Sequence, residues 1–244
     1  MTGAVIELRA GLGRLLLAAA GRPVAFDAIE SEHFIIKFNR ASDAIIGPYF
    51  RDYLESIYAD LKADYGIDLP RKVTVEVFPK HDEFSVRVSG RSWIPTVGAC
   101  TGWVIAMYSP RDLKGRKNPQ TGEPLGYNWA RVLRHEFTHV VTLAATENRI
   151  PHWFTEGLAV SQEHNPPQWR WINMLTGALR TGQLFTVDKL DWGFIRPRQP
   201  TDRELAYAQS EWQVQYIVAE HGYAKIGQLL KAFRDYKTQA QAFN

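Results

Sequence analysis

The chain has 244 residues, 45% of them hydrophobic and 12% aromatic, enough to build one large domain or two small ones around a real core. Its 29 basic and 26 acidic side chains leave a formal charge of +3, too nearly balanced for a nucleic-acid or membrane-surface binder that works through bulk electrostatics. Cys100 is the sole cysteine, which excludes an intrachain disulfide and any CxxC-type metal or redox site.

At the start of the chain, Val5, Leu8, Leu12, Leu15 and Leu16 recur at helical spacing and predict an amphipathic helix over about residues 4–20, ending near Gly21. The apolar run Leu15–Ala20 is far short of the ~20 residues that a membrane span needs, so no transmembrane helix is expected. Arg9 and Arg14 ahead of Ala18, Ala19 and Ala20 give a weak signal-peptide pattern, opposed by Glu7 and the short apolar stretch. A cytoplasmic location is therefore favoured, with export as the alternative. A lone helix of this length is marginal in water, so it is expected to pack on something, and residues 1–25 read as the remnant of an upstream helical-repeat region, with that region or a partner as the expected neighbour, ahead of a main domain over 26–244.

Within that domain the run His33–Phe38 is rich in β-formers and reads as a strand. Tyr49, Phe50, Tyr53, Leu54, Ile57, Tyr58 and Leu61 then repeat with helical period until Gly66 stops them. Val73, Val75 and Val77 alternate with Thr74 and Glu76 ahead of Pro79, predicting a half-buried strand, and Val104–Tyr108 ahead of Pro110 predicts another. Residues 109–127 carry prolines, glycines and basic side chains without either period, so they read as a long exposed connection, either a lid over an active site or a plain solvated loop.

Beyond it, Trp129 to about Thr146 has a helical pattern, Pro151 breaks the chain, and Trp153 to about Gln162 starts a second helix. Trp171, Ile172, Leu175 and Leu179 lead to Gly182, and helices are expected over about Arg203–Glu220 and Tyr223–Tyr236. Strands before residue 110 and helices after 128 define an α+β fold. It consists of a small mixed sheet over about 31–127 and a mostly helical part over about 128–244. The eight Trp and ten Tyr are expected to be mainly core and cleft-wall groups.

The chemistry concentrates in His135-Glu136-Phe137-Thr138-His139, an HExxH motif inside the expected Trp129–Thr146 helix. A helix places residues four apart on one face, so both imidazoles can reach one ion. Zinc accepts nitrogen without directional demands, and a catalytic site usually takes three protein ligands plus water. The extended pattern HExxHxxGxxH fails, because Thr142 and Ala145 occupy its glycine and third-histidine positions. Residues 140–155 separate His139 from Glu156, enough for the first helix to finish, turn and run back. Glu156 is thus the preferred third ligand, with His152, Glu163 and His164 as competitors. Glu136, beside the metal but not on it, is the candidate general base. No spacing pairs Cys100 with a base, so it reads as a small buried residue.

Trp153-Phe154-Thr155-Glu156-Gly157-Leu158-Ala159 after an HExxH helix resembles the gluzincins, the thermolysin-like and aminopeptidase-like zinc peptidases, in which a WxxEG(F/L)A segment supplies the glutamate ligand. The segments at 31–38, 71–78 and 204–222 extend the likeness over nearly all of 31–235, and the chain is most similar to the compact peptidase MA-like domains. The resemblance implies a Zn2+ cofactor, a peptide or protein substrate, and an active-site helix under a small sheet. It also implies an edge strand that binds substrate backbone by β-addition, for which Thr101–Tyr108 is the expected strand. The Ala206-Tyr207-Ala208-Gln209-Ser210 segment resembles the family's C-terminal helix and makes Tyr207 the candidate oxyanion donor. The similar aminopeptidases carry a glutamate in a GxMEN segment that captures the substrate amine, whereas Gly98-Ala99-Cys100-Thr101-Gly102 has no carboxylate. Endopeptidase and unusual exopeptidase activities both stay open, and the alternative from another class is a catalytically silent peptide-binding module on the same fold.

Overall fold

The computed structural model describes residues 26–112, 126–166 and 168–243. The amphipathic helix expected over 4–20 and most of the 109–127 connection lie outside the described residues. The chain divides into two compact units, one of Met1–Ala59 with Pro70–Glu136 and one of Asp60–Leu69 with Phe137–Asn244.

The first unit holds a five-stranded sheet in the order β1-β2-β3-β5-β4, built from β1 (Asp27–Glu30), β2 (Phe34–Phe38), β3 (Val73–Phe78), β4 (Gly98–Cys100) and β5 (Val104–Tyr108). The two outer pairs, β1 with β2 and β4 with β5, are antiparallel. The central pairs are parallel, with Ile36 opposite Val75 and Val75 opposite Ile105. Parallel neighbours need crossovers. One is supplied by a helical turn α1 (Arg40–Asp43) and helix α2 (Gly47–Tyr65), the other by α3 (His81–Ser89). Helix α2 stops where the periodicity stops: Gly66 takes φ +66°, and its N–H closes on the Lys62 carbonyl at 2.9 Å.

Two expectations about the sheet need correcting. β3 is not half-buried: Val73, Val75 and Val77 are fully buried, and Glu76 on the other face is only 7% exposed. A strand between two parallel neighbours is covered on both faces. The buried Glu76 carboxylate is matched by Arg87 of α3, whose Nε donates to it at 2.9 Å. The second correction concerns the edge. Thr101–Tyr108 is not an edge strand, because β5 lies between β3 and β4. Gly102 takes φ +74° and turns the chain into a hairpin, in which the Thr101 N–H donates to the Val104 carbonyl at 2.8 Å. The three-residue β4 is thereby laid along the outside of β5.

The second unit is helical, so the protein is α+β, a five-stranded sheet followed by a mostly helical C-terminal part. Helix α4 (Trp129–Thr146) opens on Asn128, whose side chain accepts from the Arg131 N–H at 3.1 Å. It closes with Glu147 and Asn148 in the left-handed region and the Asn148 N–H on the Leu143 carbonyl at 2.9 Å, a Schellman-type ending. There follow α5 (His152–Gln162), α6 (Trp169–Arg180), a short 3-10 turn (Val187–Lys189), α7 (Leu190–Ile195), α8 (Asp202–His221), α9 (Tyr223–Arg234) and α10 (Gln239–Phe243). The tryptophans depart from expectation: Trp93, Trp169, Trp192 and Trp212 are exposed, and of the eight Trp only Trp153 is fully buried. The bulk of tryptophan makes complete burial hard to achieve in a unit of this size.

Helix α5 is pressed against α8. A Cβ built on Gly157 would stand 2.5 Å from the Ser210 carbonyl oxygen and 2.9 Å from a Val214 methyl, and Ser210 and Val214 are both fully buried. The obstacle is backbone, which cannot rotate away. Gly157→Ala is therefore expected to force the helices apart at a cost of about 1–3 kcal/mol, visible as a fall of several degrees in melting temperature. An unchanged melting temperature would show that the pair relaxes freely.

Candidate metal centre

His135, Glu136 and His139 sit in the middle of α4, well inside its capped ends. The four-residue spacing stacks the two imidazoles on one face of the helix. Glu156 comes from α5, one turn beyond its start at His152. His135, His139 and Glu156 offer ligand atoms that all lie within 4.8 Å of one another, the one such set of three among the described residues. His139 and Glu156 are buried, each 8% exposed. The His139 Nε2 stands 3.7 Å from a Glu156 carboxylate oxygen. Donors at ~2.0–2.1 Å on a tetrahedral ion are about 3.3 Å apart, so the separation is close to that of a shared ion. Two imidazole nitrogens and a carboxylate are a donor set that suits a divalent metal.

The other ring nitrogen of His139 is engaged as well. Its Nδ1 lies 2.9 Å from the Thr155 hydroxyl, so Nε2 is the nitrogen turned toward Glu156. Such outer partners orient a metal-binding imidazole. Thr155 precedes Glu156 in α5, so one helix turn supplies both a candidate ligand and the support for another.

Glu136 lies one residue around the helix from His135 and is 9% exposed. Strand β4 runs directly past it: a Cβ on Gly98 would meet a Glu136 carboxylate oxygen at 3.1 Å and a Val132 methyl at 2.7 Å. A glycine at the start of β4 is thus what lets the sheet edge approach the carboxylate. Two residues on, Cys100 is partly exposed, with its thiol pushed above the ordinary range by burial and then by the charge of Glu136. A thiol so disfavoured as thiolate is a poor nucleophile.

The competing third ligands do not join the set. His152 approaches the other Glu156 oxygen at 3.5 Å, but its side chain is 45% exposed and it packs edge-on against Phe194 at 4.9 Å. Glu163 accepts a hydrogen bond from Asn165 at 2.8 Å, and His164 follows with φ +52°, both past the end of α5. Tyr207 is half-buried on α8, and its ring packs edge-on to Phe194 at 4.9 Å. The sequence assigned no packing or supporting role to Gly98, Thr142 or Thr155, and Gly157 entered only as part of the segment that carries the resemblance. A glycine or threonine gains its role only from the element that passes it.

The model for the Peptidase MA superfamily matches residues 123–244, and the chain belongs to that superfamily. The matched stretch contains α4, α5 and α8, and with them His135, Glu136, His139, Glu156 and Tyr207. The chain matches no curated protein. No helix among the described residues is long and apolar enough to cross a membrane.

Replacing His135, His139 or Glu156 singly by Ala is expected to remove stoichiometric metal while leaving a folded protein, because three ligands are the working minimum for such a site. Metal content by mass spectrometry checks it. Retention of a full equivalent by Glu156→Ala would move the third ligand to His152 or Glu163.

Proposed function

We propose that the protein is a zinc-dependent peptidase of the gluzincin type, with His135, His139 and Glu156 as metal ligands, Glu136 as general base and Tyr207 as oxyanion donor. The observation that carries this reading is the placement of the Glu136 carboxylate. It lies one residue from a ligand histidine and directly beside the sheet edge at Gly98. A site that merely stored metal has no use for a buried base next to a strand edge.

When bound, a zinc ion supplies Lewis acidity, which polarises a carbonyl and brings the pKa of water toward ~7. The chain's own groups do the rest. The outward backbone groups of β4 pair with an extended substrate in the manner of an added strand, which sets a peptide bond beside Glu136. The Glu136 carboxylate takes a proton from the attacking water and later delivers it to the departing amine nitrogen. The Tyr207 hydroxyl donates to the oxygen that gains charge in the transition state. With no carboxylate on β4 or its turn to hold a free amine, internal peptide bonds are the better substrates.

Glu136→Gln keeps every metal ligand, so zinc content and melting temperature are expected to stay near wild type. Hydrolysis of a proteome-derived peptide library should fall by roughly 100-fold or more. Zinc binding without cleavage by the wild-type protein would instead favour a peptide-binding module. Tyr207→Phe is expected to lower kcat by roughly 100-fold with near-normal KM and zinc content. A lowered melting temperature with little kinetic change would make Tyr207 a packing residue alongside Phe194.

A further inference from the structure

The support of His139 extends beyond one hydrogen bond. Thr155 is 4% exposed and Thr142 is fully buried, and their hydroxyl oxygens lie 2.8 Å apart. Thr142 in turn reaches the His139 backbone carbonyl at 3.2 Å. His139 Nδ1, Thr155 Oγ1, Thr142 Oγ1 and the His139 carbonyl therefore form a chain of three contacts that begins and ends on the same residue.

Each hydroxyl has a single proton, and a carbonyl can only accept. For Thr142 to bond the carbonyl, its proton must point there, so Thr155 must donate to Thr142. The Thr155 proton is then used, and its remaining role toward the imidazole is acceptor. His139 must supply the proton from Nδ1. Run the other way, with Thr155 donating to the imidazole, Thr142 must donate to Thr155, and the contact with the carbonyl is left with two acceptors. One direction alone makes hydrogen bonds of all three contacts.

Resting on the reading of His135, His139 and Glu156 as the ligand set, we propose that Thr142 and Thr155 are positioning residues that hold metal-free His139 as its Nδ1–H tautomer. The unprotonated Nε2 is then presented toward Glu156 before any ion arrives. Metal binding needs a deprotonated ligand nitrogen, so the ring removes a tautomer change and a reorientation from the binding step. Two threonines do what a carboxylate does in many histidine metal sites, without adding a third buried negative charge beside Glu136 and Glu156.

The test uses the full chain and two readouts. In metal-free wild type at about pH 8, where an unperturbed imidazole is neutral, long-range proton–nitrogen NMR of the His139 ring is expected to show the proton on Nδ1. The assignment is made by comparison with His139→Gln. Thr155→Val is expected to weaken zinc affinity by about 10–100-fold in competition with a chromogenic chelator and to shift the tautomer toward Nε2–H, while Thr155→Ser restores both. Thr142→Val should show the same trend more weakly. Wild-type His139 protonated on Nε2, or Thr155→Val with native affinity and native tautomer, would overturn the proposal. A wild-type protein that binds no zinc would defeat the ligand assignment instead, and the metal-free tautomer measurement would still decide the role of the threonines.

Discussion

The structure depends on burying a carboxylate and an imidazole face to face between two helices. Glu156 and His139 are each held almost out of solvent, where a charged or strongly polar group is costly unless its partners are fixed in place. The capped ends of α4 fix His139 along the chain, and the crossing of α5 with α8 at Gly157 fixes Glu156. Gly157 matters because α8 backbone occupies the space that a side chain would need. Sequence order, helix packing and ligand geometry are thereby joined in two adjacent residues, Glu156 and Gly157.

The sheet plays a supporting part that is set by its short edge strand. β4 has three residues and, with a glycine at its start, passes within contact distance of the Glu136 carboxylate. A longer strand with β-branched side chains would hold the carboxylate away. The parallel core of β2, β3 and β5 carries that edge, with its strands joined through α2 and α3 and β3 buried on both faces.

Long periodic elements were legible in the sequence. Helix α4 runs over Trp129–Thr146, as its apolar period and flanking turn signals indicate, and β2, β3 and β5 follow their runs of Val, Ile and Phe. Short elements were not legible. β1, β4, α1, α3, α7 and α10 are too brief to establish a period, and their existence is decided by neighbours. That is why the edge was expected at Thr101–Tyr108: Gly98-Ala99-Cys100 has no strand-forming signature and is drawn into the sheet only by the Gly102 turn. The clustering of His135, His139 and Glu156 was legible because the HExxH spacing and a glutamate on the following helix are written in local order. The threonine support of His139 was not, because Thr142 and Thr155 meet only once the two helices are folded together.

On the proposed function, His135, His139 and Glu156 hold one zinc ion. Crystals of the protein grown with zinc and measured on both sides of the zinc absorption edge test it most directly. A single anomalous peak is expected about 2.0–2.1 Å from the His135 and His139 imidazole nitrogens and from a Glu156 carboxylate oxygen, with Glu136 outside bonding distance. A peak bound instead through His152 or Glu163, or the absence of any peak at His135 and His139, would contradict it.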